Sequence, residues 1–197
     1  KIKTDKNGHF IKADVLLKAN LNKVNDEENL ISLKYTSDKK LLVGTRLDGL
    51  FQWDFKRNQL IKSNIGGNIL NVKSIEEFPK GVLWVGVYDE ILRIEQQKIV
   101  HAYSTASIFD DNRKRIFKIV PNPVTGNLLI HYSFHPIVYE IDLSKPIESA
   151  TLTPSFELDK KTYPTQLLFE NKQNLWIGTN GYGVRKMALQ KYPYEHL

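Results

Sequence analysis

One short motif occurs four times along this 197-residue chain. A repeat at a nearly fixed period dictates architecture before any single element is read. The copies are Leu41-Leu42-Val43-Gly44-Thr45, Leu83-Trp84-Val85-Gly86-Val87, Leu128-Leu129-Ile130-His131-Tyr132 and Leu175-Trp176-Ile177-Gly178-Thr179, with their second residues 42, 45 and 47 positions apart. Upstream of each copy lies a β-rich run, at 30–35, 69–75, 115–120 and 166–169. A polar connector such as Thr36-Ser37-Asp38-Lys39 or Glu170-Asn171-Lys172-Gln173-Asn174 follows that run and reads as a hairpin turn, so the two strands pair antiparallel.

Downstream of each copy comes a second turn: Leu47-Asp48-Gly49, Tyr88-Asp89-Glu90, Phe134-His135-Pro136 and Gly181-Tyr182-Gly183. Asp48-Gly49 is a favourable hairpin signal, because Gly accepts the positive φ that a tight reversal between twisted strands demands. Third apolar runs follow at 50–53, 91–94, 137–141 and 184–187, and a more polar fourth segment closes most repeats at 59–62, 98–103 and 149–152. Four short strands per period are the content of one β-propeller blade. The second strands are apolar nearly throughout, as strands covered on both faces are, and the outer segments are polar, as edge strands that avoid foreign pairing are. Helical periodicity is absent; 14–23, with mixed spacing and several Asn, is read as loop.

The expected fold is therefore all-β: propeller blades of four antiparallel strands, about four blades plus part of a preceding one. The expected divisions are 1–12 as the end of that earlier blade, with Asp5-Lys6-Asn7-Gly8 as its turn, then blades at 25–62, 65–103, 113–152 and 163–197. A fragment of a larger, incomplete ring is expected, and a closed four-bladed ring is the alternative that the count allows. Trp84 and Trp176 share a motif position, which predicts equivalent burial between blades, and Gly44, Gly86 and Gly178 predict close strand approach or a bulge.

Hydrophobic residues make up 41% and charged residues 25% of the chain, which excludes wholesale disorder and collagen-like repetition. No run approaches the roughly 20 apolar residues of a membrane-spanning helix, and the polar start is not a signal peptide. The chain opens on Lys1 rather than Met, which suggests a processed or trimmed product or a piece of something longer. Without cysteine there is no disulfide framework, thiolate metal site or cysteine nucleophile. A net charge of +6 and a pI near 9.3 favour an acidic partner.

Leu175-Trp176-Ile177-Gly178-Thr179-Asn180-Gly181-Tyr182-Gly183-Val184 resembles the repeat of the two-component regulator propeller family, in which such a strand leads through a Gly-containing turn into the next. Leu83-Trp84-Val85-Gly86, and Leu42-Val43-Gly44-Thr45 with Asp48-Gly49-Leu50, match less completely, and the third copy departs at His131 and Tyr132. The resemblance covers about 29–188. It implies the extracytoplasmic, periplasmic sensor region of a hybrid histidine kinase of the kind that regulates polysaccharide use in gut Bacteroidetes, in rings of about seven blades. It also implies a non-catalytic segment without cofactor that detects an oligosaccharide and signals to transcription. The partners it implies are the remaining blades and an adjoining sensor domain. The uncovered apolar faces of an open ring add a homodimer as an option, and neither nucleic-acid nor direct membrane contact is expected.

Other chemistry finds little support. His131 and His135 on one continuing strand would lie about 13 Å apart, too far to share a metal ion. Asp110-Asp111 beside Asn112 reads as a turn, no serine stands in a Gly-x-Ser-x-Gly elbow, and no Gly-rich loop leads into a helix with a Lys. The basic pairs Lys39-Lys40, Arg113-Lys114-Arg115, Lys160-Lys161 and Arg185-Lys186 are scattered, whereas nucleic acid wants a continuous stripe. Propellers bind where loops gather at one end of the ring. The second-to-third-strand turns and the links between blades share an end and give the candidate ligand residues Arg46, Asp48, Tyr88, Asp89, Arg113, His135, Lys161, Asn180 and Tyr182, with Asn68 beside them. Arg46, Arg113 and Lys161 favour an acidic saccharide. The alternatives are a propeller lyase or hydrolase acting on polysaccharide and a protein-binding scaffold.

Overall fold

The computed structural model describes residues 2–4, 10–13, 30–67, 69–88, 90–105, 116–144, 151–159 and 161–189. The expectations for Asp5-Lys6-Asn7-Gly8, the 14–23 loop, Asn68, Asp89, Asp110-Asp111, Arg113 and Lys160 lie outside these residues. Described residues form strands and connections, with no helix among them. A two-stranded hairpin, β1 (Ile2–Thr4) and β2 (Phe10–Ala13), precedes the first full blade. That blade is β3 (Leu30–Tyr35), β4 (Leu41–Thr45), β5 (Leu50–Asp54) and β6 (Gln59–Lys62). The second is β7 (Ser74–Glu77), β8 (Val82–Gly86), β9 (Glu90–Glu95) and β10 (Lys98–Ser104). The third is β11 (Ile116–Pro121), β12 (Leu128–Tyr132), β13 (Ile137–Ile141) and β14 (Leu152–Glu157). The fourth has β15 (Pro164–Phe169), β16 (Asn174–Thr179) and β17 (Val184–Ala188).

Every blade is an antiparallel meander in chain order, and the first strands β3, β7, β11 and β15 meet one another along the inside, which is propeller architecture. The all-β expectation holds. Three apolar clusters fill the spaces between consecutive blades. Alternation along β8 sends Trp84 into the cluster shared with the third blade and Val85 into the cluster shared with the first, so both faces of the strand are covered. The same rule makes all five residues of β12 buried.

Two strands depart from the sequence reading. The apolar run at 69–75 is mostly a link, and the strand is β7. Ile65, Ile69 and Val72 belong to the first inter-blade cluster, reached by a chain that folds back between blades. The Gly66 N–H donates to the Gln97 carbonyl at 2.9 Å, the Val72 N–H donates to the Thr45 carbonyl at 2.9 Å, and Asn71 takes a φ of 58° that interrupts any strand. In the third blade the outer strand expected at 149–152 is β14, which runs on through Pro154. Proline is tolerated there because β14 is an edge strand and its register shifts between Val138 and Tyr139.

The motif glycines are explained by approach. A Cβ on Gly44 would lie 2.3 Å from Ser32 Oγ and 2.5 Å from Val72 Cγ1, and one on Gly86 would lie 2.8 Å from Ile116 Cγ2. Opposite the motif, the first strand carries a bulge in three blades, at 30–32, 116–118 and 164–166. The two tryptophans differ from expectation. Trp84 is fully buried, with its indole N–H donating to the Phe78 carbonyl at 2.5 Å, whereas Trp176 is half-buried under Lys186, whose Nζ sits 5.0 Å from the ring centroid. Trp84 faces the third blade's Ile116 and Ile119; among the described residues no blade covers the corresponding face of the fourth, where Leu168 and Val184 are also exposed.

Candidate ligand-binding site

The second-to-third-strand turns are built by the motif itself. The Thr45 N–H and Oγ1 both donate to the Gly49 carbonyl at 2.9 Å, and the Thr179 N–H and Oγ1 donate to the Gly183 carbonyl at 3.0 and 2.7 Å. Gly49 and Gly183 have φ of 87° and 77°, conformations that a side chain would strain. In the second blade Val87 has no hydroxyl, and only its N–H closes the turn, on the Glu90 carbonyl at 3.0 Å.

Backbone hydrogen bonds stitch these turns to the links between blades. The Ile116 N–H donates to the Tyr88 carbonyl at 3.3 Å, Leu158 N–H to Pro136 at 3.0 Å and Asn180 N–H to Tyr163 at 3.0 Å. Turns and links therefore share one end of the ring, as the strand order requires.

Of the candidate residues, Arg46, Lys161, Asn180 and Tyr182 are exposed at that end, and Tyr88 is 40% exposed. Asp48 is half-buried in turn closure, its N–H donating to Thr45 Oγ1 at 3.1 Å and its carbonyl accepting from Lys62 Nζ at 2.5 Å. His135 turns inward beside Tyr139, and its Nδ1 accepts the Ile137 N–H at 3.3 Å. His131 is buried between the third and fourth blades; burial, reinforced by the Lys118 charge across the strand pair, pushes its pKa down to about 3. No group of three metal-ligating side chains exists among the described residues. Asp89 and Arg113 lie outside the described residues.

One cleft at this end gathers chemistry from two blades. It has a volume of about 190 Å³ and is lined by Ser133, Phe134, Tyr163, Pro164, Thr165 and Asn180. Phe134, on the third blade's turn, meets Tyr163, on the following link, edge to face at 6.1 Å between centroids. Thr165 is the extra residue of the bulge between Pro164 and Gln166, a device that re-aims a side chain. Asn180 is the one candidate that the structure brings into this cleft; Arg46, Asp48 and Tyr88 stand on the turns of other blades. Tyr163 and Thr165 were missed, because Tyr163-Pro164 reads as a link and only the packing of one blade on the next sets it opposite Phe134.

Two other hollows are less suited. A cavity of about 200 Å³ at the opposite end has its carboxylates engaged in loop closure: Glu77 accepts from the Ser37 N–H, Ser37 Oγ and the Gly81 N–H, and Asp38 binds Thr36 and Lys40. A trough of about 340 Å³ beside β10 is lined mainly by aliphatic groups such as Ile69, Leu70, Leu92 and Ile99.

Comparison with known proteins places the fold. No family model matches the chain, and no curated protein matches it. Among solved structures it is similar to the Swd1 β-propeller domain of Myceliophteria thermophila, at 13% identity and a TM-score of 0.60 over 86% of this chain and 55% of that one. It is also similar to the extracellular domain of BT4673 from B. thetaiotaomicron, described as a hybrid two-component system, at 17% identity and a TM-score of 0.64 over 86% of this chain and 25% of that one. A further structure of that extracellular domain matches at 14% identity and a TM-score of 0.60, over 26% of its length. At these identities the likeness shows the fold, a β-propeller, and the chain spans between a quarter and about half of the structures it matches.

Proposed function

We propose that this chain is the ligand-sensing propeller segment of a hybrid two-component sensor, positioned on the extracytoplasmic side, that takes a polysaccharide-derived ligand and passes the signal toward transcription. The observation that carries the reading is the aromatic and amide cleft of Phe134, Tyr163 and Asn180, set at the end where turns and links converge. A concave site lined by aromatic surface with a few converging polar groups is what small-ligand recognition requires. The fold likeness to an extracellular domain of a two-component system supports the setting. The proposed role is binding without catalysis, and the described lining offers hydroxyl, amide and aromatic groups for contact. The remaining blades and an adjoining sensor domain of a longer chain are the proposed partners. Calorimetric titration of the sensor region with a saccharide panel tests the reading: saturable binding without bond cleavage is expected, and turnover of a polysaccharide, or no binding to any member, would contradict it.

A further inference from the structure

The charge of the ligand is where this cleft says more than the sensing role on which the inference rests. Net charge pointed to an acidic saccharide, yet among the described residues the cleft walls carry hydroxyl, amide and aromatic groups and no charged side chain. An anionic ligand seated there would surrender hydration without gaining a counter-charge. Lys161 is exposed on the neighbouring link and is not part of the lining.

Phe134 is the decisive residue. Its φ of 56° is the left-handed region, where a bulky side chain is strained. Its ring is also 71% exposed, so burial returns little of that cost. Phe134 thus holds an aromatic ring in solvent that neither backbone preference nor burial accounts for. The ring is steadied edge to face on Tyr163, and among the described residues the side chains of Ser133, Thr165 and Asn180 take no hydrogen bond. The volume of about 190 Å³ is below the roughly 300–1,000 Å³ of sites that enclose drug-sized ligands, and suits one ring.

We propose that the cleft between the third and fourth blades binds one uncharged, hydroxyl-rich sugar ring, a pyranose whose C–H face lies on the exposed Phe134 ring, which Tyr163 braces edge to face, and whose hydroxyls meet Ser133, Thr165 and Asn180. The weakly positive C–H face of a pyranose complements the negative face of an aromatic ring. The bound ring touches two blades, so its occupancy is felt across their interface.

Saturation-transfer NMR on the sensor region tests this, with cello-, xylo- and maltotriose as neutral probes, trigalacturonate and a sulfated disaccharide as acidic probes, and phenol as an aromatic control. A neutral sugar is expected to give the strongest signal, from its C–H face, with affinity unchanged between about 0.05 and 0.5 M salt. Phe134→Gly relieves the strained φ, so the variant is expected to keep its melting temperature while losing roughly tenfold or more in affinity. Lys161→Ala is expected to change nothing. Acidic probes that bind alone and weaken with salt and with Lys161→Ala would overturn the uncharged-ring assignment and leave the sensing role standing. Phenol binding better than every sugar, or neutral binding indifferent to Phe134→Gly and Tyr163→Ala, would overturn it too. Binding of no saccharide at all would overturn both the assignment and the sensing role.

Discussion

Gly44 and Gly178 hold the same motif position in different surroundings, and a methyl group added to each measures the difference. At Gly44 the new Cβ collides with Val72, a fully buried side chain that cannot move aside, so Gly44→Ala should cost about 1–3 kcal/mol in urea unfolding. At Gly178 the nearest atoms are Thr165 Oγ1 at 3.3 Å and Gln166 Cβ at 3.4 Å, and the alanine variant should stay within about 1 kcal/mol of the parent. Equal losses would show that blade approach does not explain the motif glycine. His131, which replaces that glycine in the third copy, titrates instead. Its folded pKa of about 3 lies below the ordinary 6.5, so between these values the unfolded chain binds the extra proton. Stability must therefore fall as pH drops from 6.5 toward 3, by up to about 1.4 kcal/mol per pH unit from this residue. His131→Gln should flatten that slope in denaturation at pH 7, 5 and 4; an unchanged slope would contradict the buried neutral imidazole.

Adjacent residues of the link before β7 separate core from surface. Ile69 is 5% exposed between the first and second blades and Leu70 is 52% exposed beside it, so Ile69→Ala should cost about 2–4 kcal/mol and Leu70→Ala under 1. Comparable values, measured by denaturant titration, would remove the link from the core. This link also shows where sequence reading stops. Strands built on the motif were legible, because repetition and unbroken apolarity require central strands covered on both faces, and β4, β12 and β16 stand at their copies. Ile69 and Val72 are apolar for another reason: the chain folds back to fill the gap between blades, which local pattern cannot distinguish from a strand. Likewise Pro154 argues against a strand in isolation, and only the edge position of β14 admits it. Trp176 differs from Trp84 through its neighbours alone, since what lies beyond the strand decides whether a ring is covered.

Across the whole molecule, the end that carries the turns and links was legible from strand order, because a meander returns its second-to-third turns and its crossovers to the same side. The cleft was not, because Phe134 and Asn180 lie 46 positions apart and belong to different repeats, joined only through the Tyr163 link between them. Of the charged residues that suggested an acidic ligand, Arg46 stands on the first blade's turn and Lys161 on the link beside the cleft, whereas the described lining is aromatic, hydroxyl and amide. Hydrogen–deuterium exchange of the sensor region, with and without saturating cello-, xylo- and maltotriose, tests the central claim that ligand is taken between the third and fourth blades at this end. Slowed exchange is predicted at 133–137, 163–166 and 179–183, with 36–40, 77–81 and 96–97 at the opposite end unchanged. Protection confined to that opposite end, or no protection anywhere, would contradict the account.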